Sequence, residues 1–338
     1  SDLLIDKVAG GSNLSNPLFT TYWAPSSYDL WGTPFAEQGN PYQQIHYRGA
    51  MDNPRWSLAN NSFNENVTRS FGNIYVNYKP MDWMSINYRV GIDAFTERRK
   101  EVYALGSGGT GGRTNPPSGG EITDLFYQSR QINSNFNIGI NKNITDDLVL
   151  DFLIGNEFID VRTFFLSNVG SSLTLGGFDN LSNAGSQAPS SGTSAFRTVG
   201  FFANATIAYR EMLFLNVTGR QDYSSTLPVE NNTFFYPSAG LTFVFTELIN
   251  VDPDILSFGK IRGSYAEVGQ AAPENSLNIP YLGATVGTGF TTDGIAFPAF
   301  NNQTAFEQSN VLIDPDLKPQ NNKTWEVGLN LAFIKGRV

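Results

Sequence analysis

From Val67 onward the chain alternates apolar and polar residues with a period of two. Ile74, Val76 and Tyr78 alternate with Asn73, Tyr75 and Asn77. After Lys79-Pro80-Met81-Asp82, the residues Met84, Ile86, Tyr88, Val90 and Ile92 alternate with Ser85, Asn87, Arg89, Gly91 and Asp93. Such alternation is the signature of a strand with one apolar and one polar face. It recurs around Phe136–Ile140, Leu148–Ile154, Val199–Ile207, Leu213–Val217, Leu241–Phe245, Ile261–Tyr265 and Trp325–Phe333. The pattern predicts about nine strands near 67–78, 83–101, 123–141, 147–162, 196–209, 213–222, 235–246, 257–268 and 324–334. No amphipathic helix is predicted. Residues 1–66 lack a sustained period and read as long loops rich in Trp, Pro and Asn.

The connections alternate in length. Short ones are expected near 79–82, 141–147, 210–212 and 247–256, long ones near 102–121, 164–195, 222–234 and 269–323. Consecutive antiparallel strands put alternate connections at opposite ends, so short turns share one rim and long loops the other. That asymmetry, with strands longer than the usual 5–6 residues, fits an up-and-down transmembrane β-barrel better than a sandwich. On this reading Met84, Ile86, Val90, Leu150, Phe152, Ile154, Phe201, Leu215, Phe243, Val327, Leu329 and Leu331 face lipid. Asn87, Arg89, Asp151, Glu157, Arg220, Arg262 and Glu326 face a wet interior.

Composition narrows the classes. Only 16% of the 338 residues are charged, against roughly 25% in an average soluble domain. The net charge of −9 speaks against nucleic acid as the partner. With no Cys and one His, disulfides, thiolate metal sites and two-His zinc motifs are excluded within the chain. No basic, apolar leader opens the sequence, and no apolar run is long enough for a membrane helix. Both ends read as truncations.

Candidate chemistry is sparse. Gly106-Ser107-Gly108-Gly109-Thr110-Gly111 satisfies a dinucleotide-type spacing, but Asn115-Pro116-Pro117 follows in place of a helix. His46 has no nucleophile elbow to serve. Asp252-Pro253-Asp254 and Asp314-Pro315-Asp316 fall short of the 6–8 oxygen ligands calcium takes and read as turns. The glycosylation-type triplets at Asn66, Asn204 and Asn216 are chance matches in an Asn-rich chain. No catalytic residue, metal or cofactor is expected. Tyr22, Trp23, Tyr28, Trp31 and Trp56 are candidates for stacking on a sugar or peptide, since aromatic rings pair an apolar face with a wet edge. Arg89, Arg220, Asp222, Lys260 and Arg262 share the polar strand face and are expected to form a lumen charge network.

Several ordered segments are more specific. Asn53-Pro54-Arg55-Trp56 precedes a strand pair turning at Tyr78-Lys79-Pro80-Met81-Asp82-Trp83. Gly219-Arg220-Gln221-Asp222-Tyr223-Ser224-Ser225 ends a strand and Tyr236-Pro237-Ser238 opens the next. Leu256–Gln270, Leu317-Lys318-Pro319 and Thr324-Trp325-Glu326-Val327-Gly328-Leu329 follow. In this order they resemble the barrel of the SusC/RagA family of TonB-dependent outer-membrane transporters, most closely over 219–337. The resemblance implies an internal barrel fragment. Residues 1–66 would be an extracellular-loop region ahead of the strands, and 67–338 one incomplete barrel domain without its plug and remaining strands. It further implies import of glycan or peptide fragments under a SusD-like surface lipoprotein. Energy would come from the TonB complex through a missing N-terminal part. Outer-membrane lipid would surround the strands, in a Gram-negative bacterium of Bacteroidota type. A non-enzymatic alternative is a soluble or surface-attached β-rich ligand-binding or adhesin domain, or a passive porin.

Overall fold

The computed structural model describes residues 14–46, 51–108, 119–249, 252, 254–277, 281–283, 306–308 and 313–334. A nine-stranded antiparallel sheet dominates. Its strands are β1 (Ser62–Met81), β2 (Met84–Tyr103), β3 (Glu121–Thr145), β4 (Leu148–Leu173), β5 (Ala184–Tyr209), β6 (Leu213–Ser224), β7 (Thr233–Val244), β8 (Leu256–Gln270) and β9 (Gln320–Phe333). Each pairs with its neighbour in chain order, with no crossover. This is the up-and-down order expected from the pattern. Small ribbons pair Ala36–Glu37 with Asn40–Gln44 and Tyr281–Gly283 with Phe306–Gln308.

Register confirms the sorting of faces where it is continuous. β5 and β6 pair from Thr198↔Ser224 to Tyr209↔Leu213, β6 and β7 from Tyr223↔Thr233 to Leu213↔Phe243, and β8 and β9 from Gly269↔Asn321 to Gly259↔Leu331. One face therefore carries Phe201, Leu215, Leu241, Ile261, Val327 and Leu329, and the other Asn204, Asn216, Arg220, Arg262 and Glu326. The apolar set is not buried: Val327 is 83% and Phe201 52% exposed.

The hairpin between β5 and β6 turns at Arg210 and Glu211, with φ of 50° and 55°. The Met212 N–H donates to the Tyr209 carbonyl at 3.1 Å. Two central residues at positive φ give the turn whose twist matches its strands, normally supplied by Asn-Gly. Here Arg210 offsets part of the strain: its guanidinium pairs with Asp147 at 3.0 Å and its N–H reaches the Asp147 carbonyl.

Three expectations need correction. Residues 14–61 are not featureless loop, for two short helices form: α1 (Pro17–Tyr22) and α2 (Pro54–Asn60). Each starts at an Asn-Pro pair. The Asn16 side chain accepts from the Leu18 and Phe19 N–H groups, and the Asn53 side chain from Arg55, while proline fills the first helical position. Second, the expected long loop 164–195 shrinks to 174–183, because β4 and β5 continue as a paired extension. Third, the sorting of connection lengths is looser than expected. The connection 225–232 is shorter than 245–255, because Tyr223 and Thr233 still pair.

The chain divides into two compact units. One comprises Ser1–Phe71, Asp93–Arg130 and Arg162–Thr193; the other comprises Gly72–Ile92, Gln131–Val161 and Ser194–Val338. The first holds a small core of Val102, Ile122 and Leu173, with Leu181 and Ala184 against it. Trp56 is fully buried there, its indole N–H donating to the Pro41 carbonyl at 2.8 Å. The loop Gly106–Gly108 is bound into the same unit by Asp52. That buried carboxylate accepts from Ser107 Oγ (2.7 Å), Gly108 N (2.8 Å), Gln44 Nε2 (2.7 Å) and Ser15 Oγ (2.5 Å). The glycine-rich segment is thus a clasped loop as far as it is described; residues 109–118 lie outside the described residues. The second unit is mostly sheet.

Candidate functional site

The polar face of the second unit carries the most organised side-chain chemistry among the described residues. Arg220 and Asp222 lie two apart on β6 and share that face. Phe202 of β5 and Tyr236 of β7 stand directly opposite Arg220, and Gly200 stands opposite Asp222. Arg220 donates through Nε to Asp222 (2.8 Å) and through its terminal nitrogen to Glu157 of β4 (2.6 Å). The Tyr236 hydroxyl donates to the other oxygen of Asp222. Three strands, β4, β6 and β7, are tied together through one cation shared between two carboxylates. Charge-assisted bonds of this kind are roughly twice as strong as neutral ones, and Asp222 is only 6% exposed, so it needs them.

Gly200 makes the arrangement possible. A Cβ there would collide with Asp222 Oδ1 and lie 2.5 Å from the Arg220 terminal nitrogen. Gly328 plays the same part for Arg262, whose Nε would lie 2.5 Å from a Cβ. Arg262 pairs with Glu326 at 2.8 Å. These glycines in strand interiors mark close approach by an arginine, not a bend.

Away from the charges the face is built of amides and hydroxyls. Asn87 accepts from the Tyr75 hydroxyl (2.7 Å) and Asn77 (2.5 Å), and donates to Asn137 (3.1 Å), which donates to Asn135 (2.8 Å). A hollow of about 360 Å³ lies against Tyr75, Asn87, Arg89, Asn135 and Asn137. Arg89 sits over the Tyr75 ring at 5.2 Å. Further along, Asn216 donates to Thr206 (2.8 Å) and Asn204 donates to Thr218 (3.0 Å). The sequons at Asn204 and Asn216 are members of this ladder. Such a surface offers many donors and acceptors and no nucleophile–base pair.

The five residues expected to form a charge network fall on this face, but not as one cluster. Arg220 and Asp222 are bonded to each other. Arg262 pairs with Glu326, Arg89 stacks on Tyr75, and Lys260 stands opposite Asn330. Tyr236 is the member of the bonded group absent from the sequence-based set; its position opposite Arg220 follows once the β6–β7 register is known.

The aromatic candidates divide. Tyr22 is 89% and Trp31 78% exposed, Trp31 with the Arg55 guanidinium 5.4 Å from its ring centroid. Trp23 packs on Phe19 at 5.6 Å, and the Tyr28 hydroxyl accepts from Asn53. Trp56 has no accessible surface and is corrected from ligand contact to packing anchor. His46 Nδ1 lies 2.9 Å from the Met51 carbonyl oxygen. Asp252 and Asp314 each accept from the N–H two residues on, Asp254 and Asp316, at 2.9 Å, which makes both pairs turn devices. Phe290, Phe297 and Phe300, in the long connection expected at 269–323, lie outside the described residues.

The apolar face has its own order. Outward on β6, Leu213 to Tyr223 is ten steps, about 34 Å along the strand and about 26 Å when tilted by roughly 40°. Aromatics mark the far end of that span. Tyr223 packs edge-on to Phe201 (6.3 Å), Tyr265 meets Trp325 (4.3 Å), and Phe235 is exposed beside them; Tyr209 marks the near end. An apolar band of about 25 Å between aromatic girdles is the outer surface of a membrane barrel.

Comparison with known proteins agrees with this geometry. The family model described as "TonB dependent receptor-like, beta-barrel" matches residues 6–338. The TonB-dependent receptor P26 of Formosa agariphila is 27% identical over 312 residues, which cover 84% of this chain and 28% of that protein. A solved structure of the RagAB peptide transporter is similar with a TM-score of 0.71 at 15% identity, covering 85% of this chain and 30% of that one. The RagAB peptide importer in its "closed-closed" state gives 0.70 at 16% identity, covering 88% and 31%. The chain thus spans about three tenths of the length of these relatives.

Proposed function

This chain belongs to the TonB-dependent receptor-like β-barrel family, a family of outer-membrane transporters, and from that premise we propose that it is a wall segment of an active importer of glycan or peptide fragments. The observation that carries the reading is the two-faced sheet. Nine consecutively paired strands put an exposed apolar band on one face and a bonded Arg, Asp, Glu, Tyr and Asn array on the other. The apolar face meets outer-membrane lipid. The polar face lines the wet interior, where the Arg220–Asp222–Glu157–Tyr236 group stiffens the wall and Arg89, Lys260 and Arg262 present charge to the plug or to passing substrate.

The family and the RagAB likeness support the rest of the reading. Residues 1–66 and the long connections face outward and seat a SusD-like surface lipoprotein as lid. Exposed Tyr22, Trp23 and Trp31 contribute stacking surface for substrate, with Tyr28 at their margin. The TonB complex acts through parts of the protein outside this chain. The source is a Bacteroidota-type Gram-negative bacterium.

Uptake of labelled oligosaccharide and peptide pools by cells carrying the full-length transporter tests this, with and without TonB. Saturable uptake that stops without TonB is the expected result. Uptake that continues without TonB would make the barrel a passive porin, and surface binding with no uptake an adhesin.

A further inference from the structure

The apolar face changes character along its strands. On β2 the even-numbered positions run Met84, Ile86, Tyr88, Val90, Ile92, Ala94 and Thr96, then turn basic at Arg98 and Lys100. In the first unit these two cations border a cleft of about 800 Å³. Its apolar lining includes Phe126, Leu166 and Leu181, and its polar lining includes Asn66 and Asn168. Two carboxylates line the cleft: Asp124, whose Oδ1 lies 4.0 Å from Lys100 Nζ, and Glu65, which is 3.8 Å from the Arg99 guanidinium. Phe126 continues toward Phe164, with ring centroids 6.4 Å apart. Arg130, four positions from Phe126, and Arg162, two from Phe164, are exposed and share their face by strand alternation.

We propose that this cleft binds the phosphorylated sugar headgroup of an outer-leaflet glycolipid, with Arg98 and Lys100 on the phosphate and Phe126, Leu166 and Leu181 against the first part of the acyl chains. The inference rests on the reading that this strand face meets lipid. Three features select that occupant. The cations follow directly on an apolar strand face, so a ligand here carries its charge at the end of a hydrocarbon body. Arg and Lys favour phosphate, Arg through two parallel donors. The Asn amides in the lining suit sugar hydroxyls, which a simple phosphate ion lacks. A protein partner would leave the apolar lining continuous with lipid; the glycolipid covers both.

The test uses the full-length transporter, purified in detergent and titrated with a bis-phosphorylated acylated disaccharide, its dephosphorylated form, and inorganic phosphate. Binding is read by native mass spectrometry and by the shift in melting temperature. The phosphorylated glycolipid should bind and raise the melting temperature, and the other two should not. Arg98→Gln with Lys100→Gln should weaken it by about tenfold or more, as expected for loss of two charge-assisted contacts. Arg69→Gln, which removes an exposed pair with Asp93, should leave binding unchanged. Equal binding of the dephosphorylated lipid, saturation by inorganic phosphate alone, or an unaffected double variant would overturn the proposal. TonB-dependent uptake is scored in the same cells. Loss of lipid binding with uptake intact sinks only this site, whereas lipid binding without uptake sinks only the transport reading.

Discussion

The two compact units are made from overlapping strands yet hold themselves together differently. The unit containing residues 14–71 buries apolar side chains: Trp56, Val102, Ala104, Ile122 and Leu173 are nearly inaccessible. Its buried carboxylate Asp52 is tied down by four donors. This unit is held together as water-soluble proteins are, with hydrophobic burial driving and the four bonds to Asp52 offsetting the cost of burying that charge. Among the described residues the other unit has almost no core. Its large apolar residues point out, and its polar residues bond one another across the opposite face. Its strands are held by backbone pairing and cross-strand pairs, and its apolar surface needs hydrocarbon around it. The same period-two sequence rule therefore serves two solvents.

Four substitutions in the full-length transporter would break or sharpen that contrast. The largest effect is expected for Trp56→Ala, which removes the biggest buried side chain and should cost about 3–5 kcal/mol locally. Limited proteolysis should cut within residues 14–61, while the barrel still reaches the outer membrane. Uncut protein would show that Trp56 is not the anchor.

Next comes Val217→Arg, an exposed position midway along the outward face of β6. A charge facing hydrocarbon there should cost about 2–4 kcal/mol. Heat-modifiable gel mobility should report a loss of assembled barrel, with Leu58→Arg in the other unit as the neutral control. Normal assembly of Val217→Arg would mean that this face does not meet lipid.

Arg220→Gln should come third, at about 1–3 kcal/mol, because it leaves Asp222 and Glu157 facing each other without their cation. Removing Asp222 at the same time, as Asp222→Asn, should recover part of the loss. A double variant as unstable as the sum of the singles would mean that the pair is not coupled.

The smallest effect concerns pH. Glu121, at the start of β3 and beyond the expected membrane-crossing span, has its carboxyl pushed up by burial first and by neighbouring Glu101 second. A carboxyl raised on folding supports stability below its unfolded pKa, and that support is lost as pH rises through the folded value. Glu121→Gln should therefore raise the melting temperature slightly at neutral pH, by about 1 °C or less after allowance for solvent exposure. The gain should vanish in acid. A gain that grows toward low pH would reverse the assignment.

Much of this was legible in one dimension. Alternation from Ile74 to Tyr78 or from Leu213 to Val217 fixes which residues share a face, because a strand's side chains have no other choice. All nine strands and their order follow from that alternation and from the sequence of connections. The short helices were harder to see. Their cores are too brief for a 3.6-residue period, and only the Asn16-Pro17 and Asn53-Pro54 caps marked them. The turn at Arg210-Glu211 carried no residue that favours positive φ.

What sequence alone could not settle is who stands beside whom. That Arg220 and Asp222 face the same way was determined by their spacing. That Glu157, Tyr236 and the space above Gly200 meet them depends on the registers of β4 to β7, which bring together residues separated by as much as 79 positions, from Glu157 to Tyr236. The aromatic candidates show the same divide. Composition identified Trp31 and Trp56 as equals; burial separated them, because α2 turns Trp56 toward the Pro41 carbonyl and leaves Trp31 beneath Arg55. Face is a local property of the backbone, whereas partnership and burial are set by the packing of distant segments.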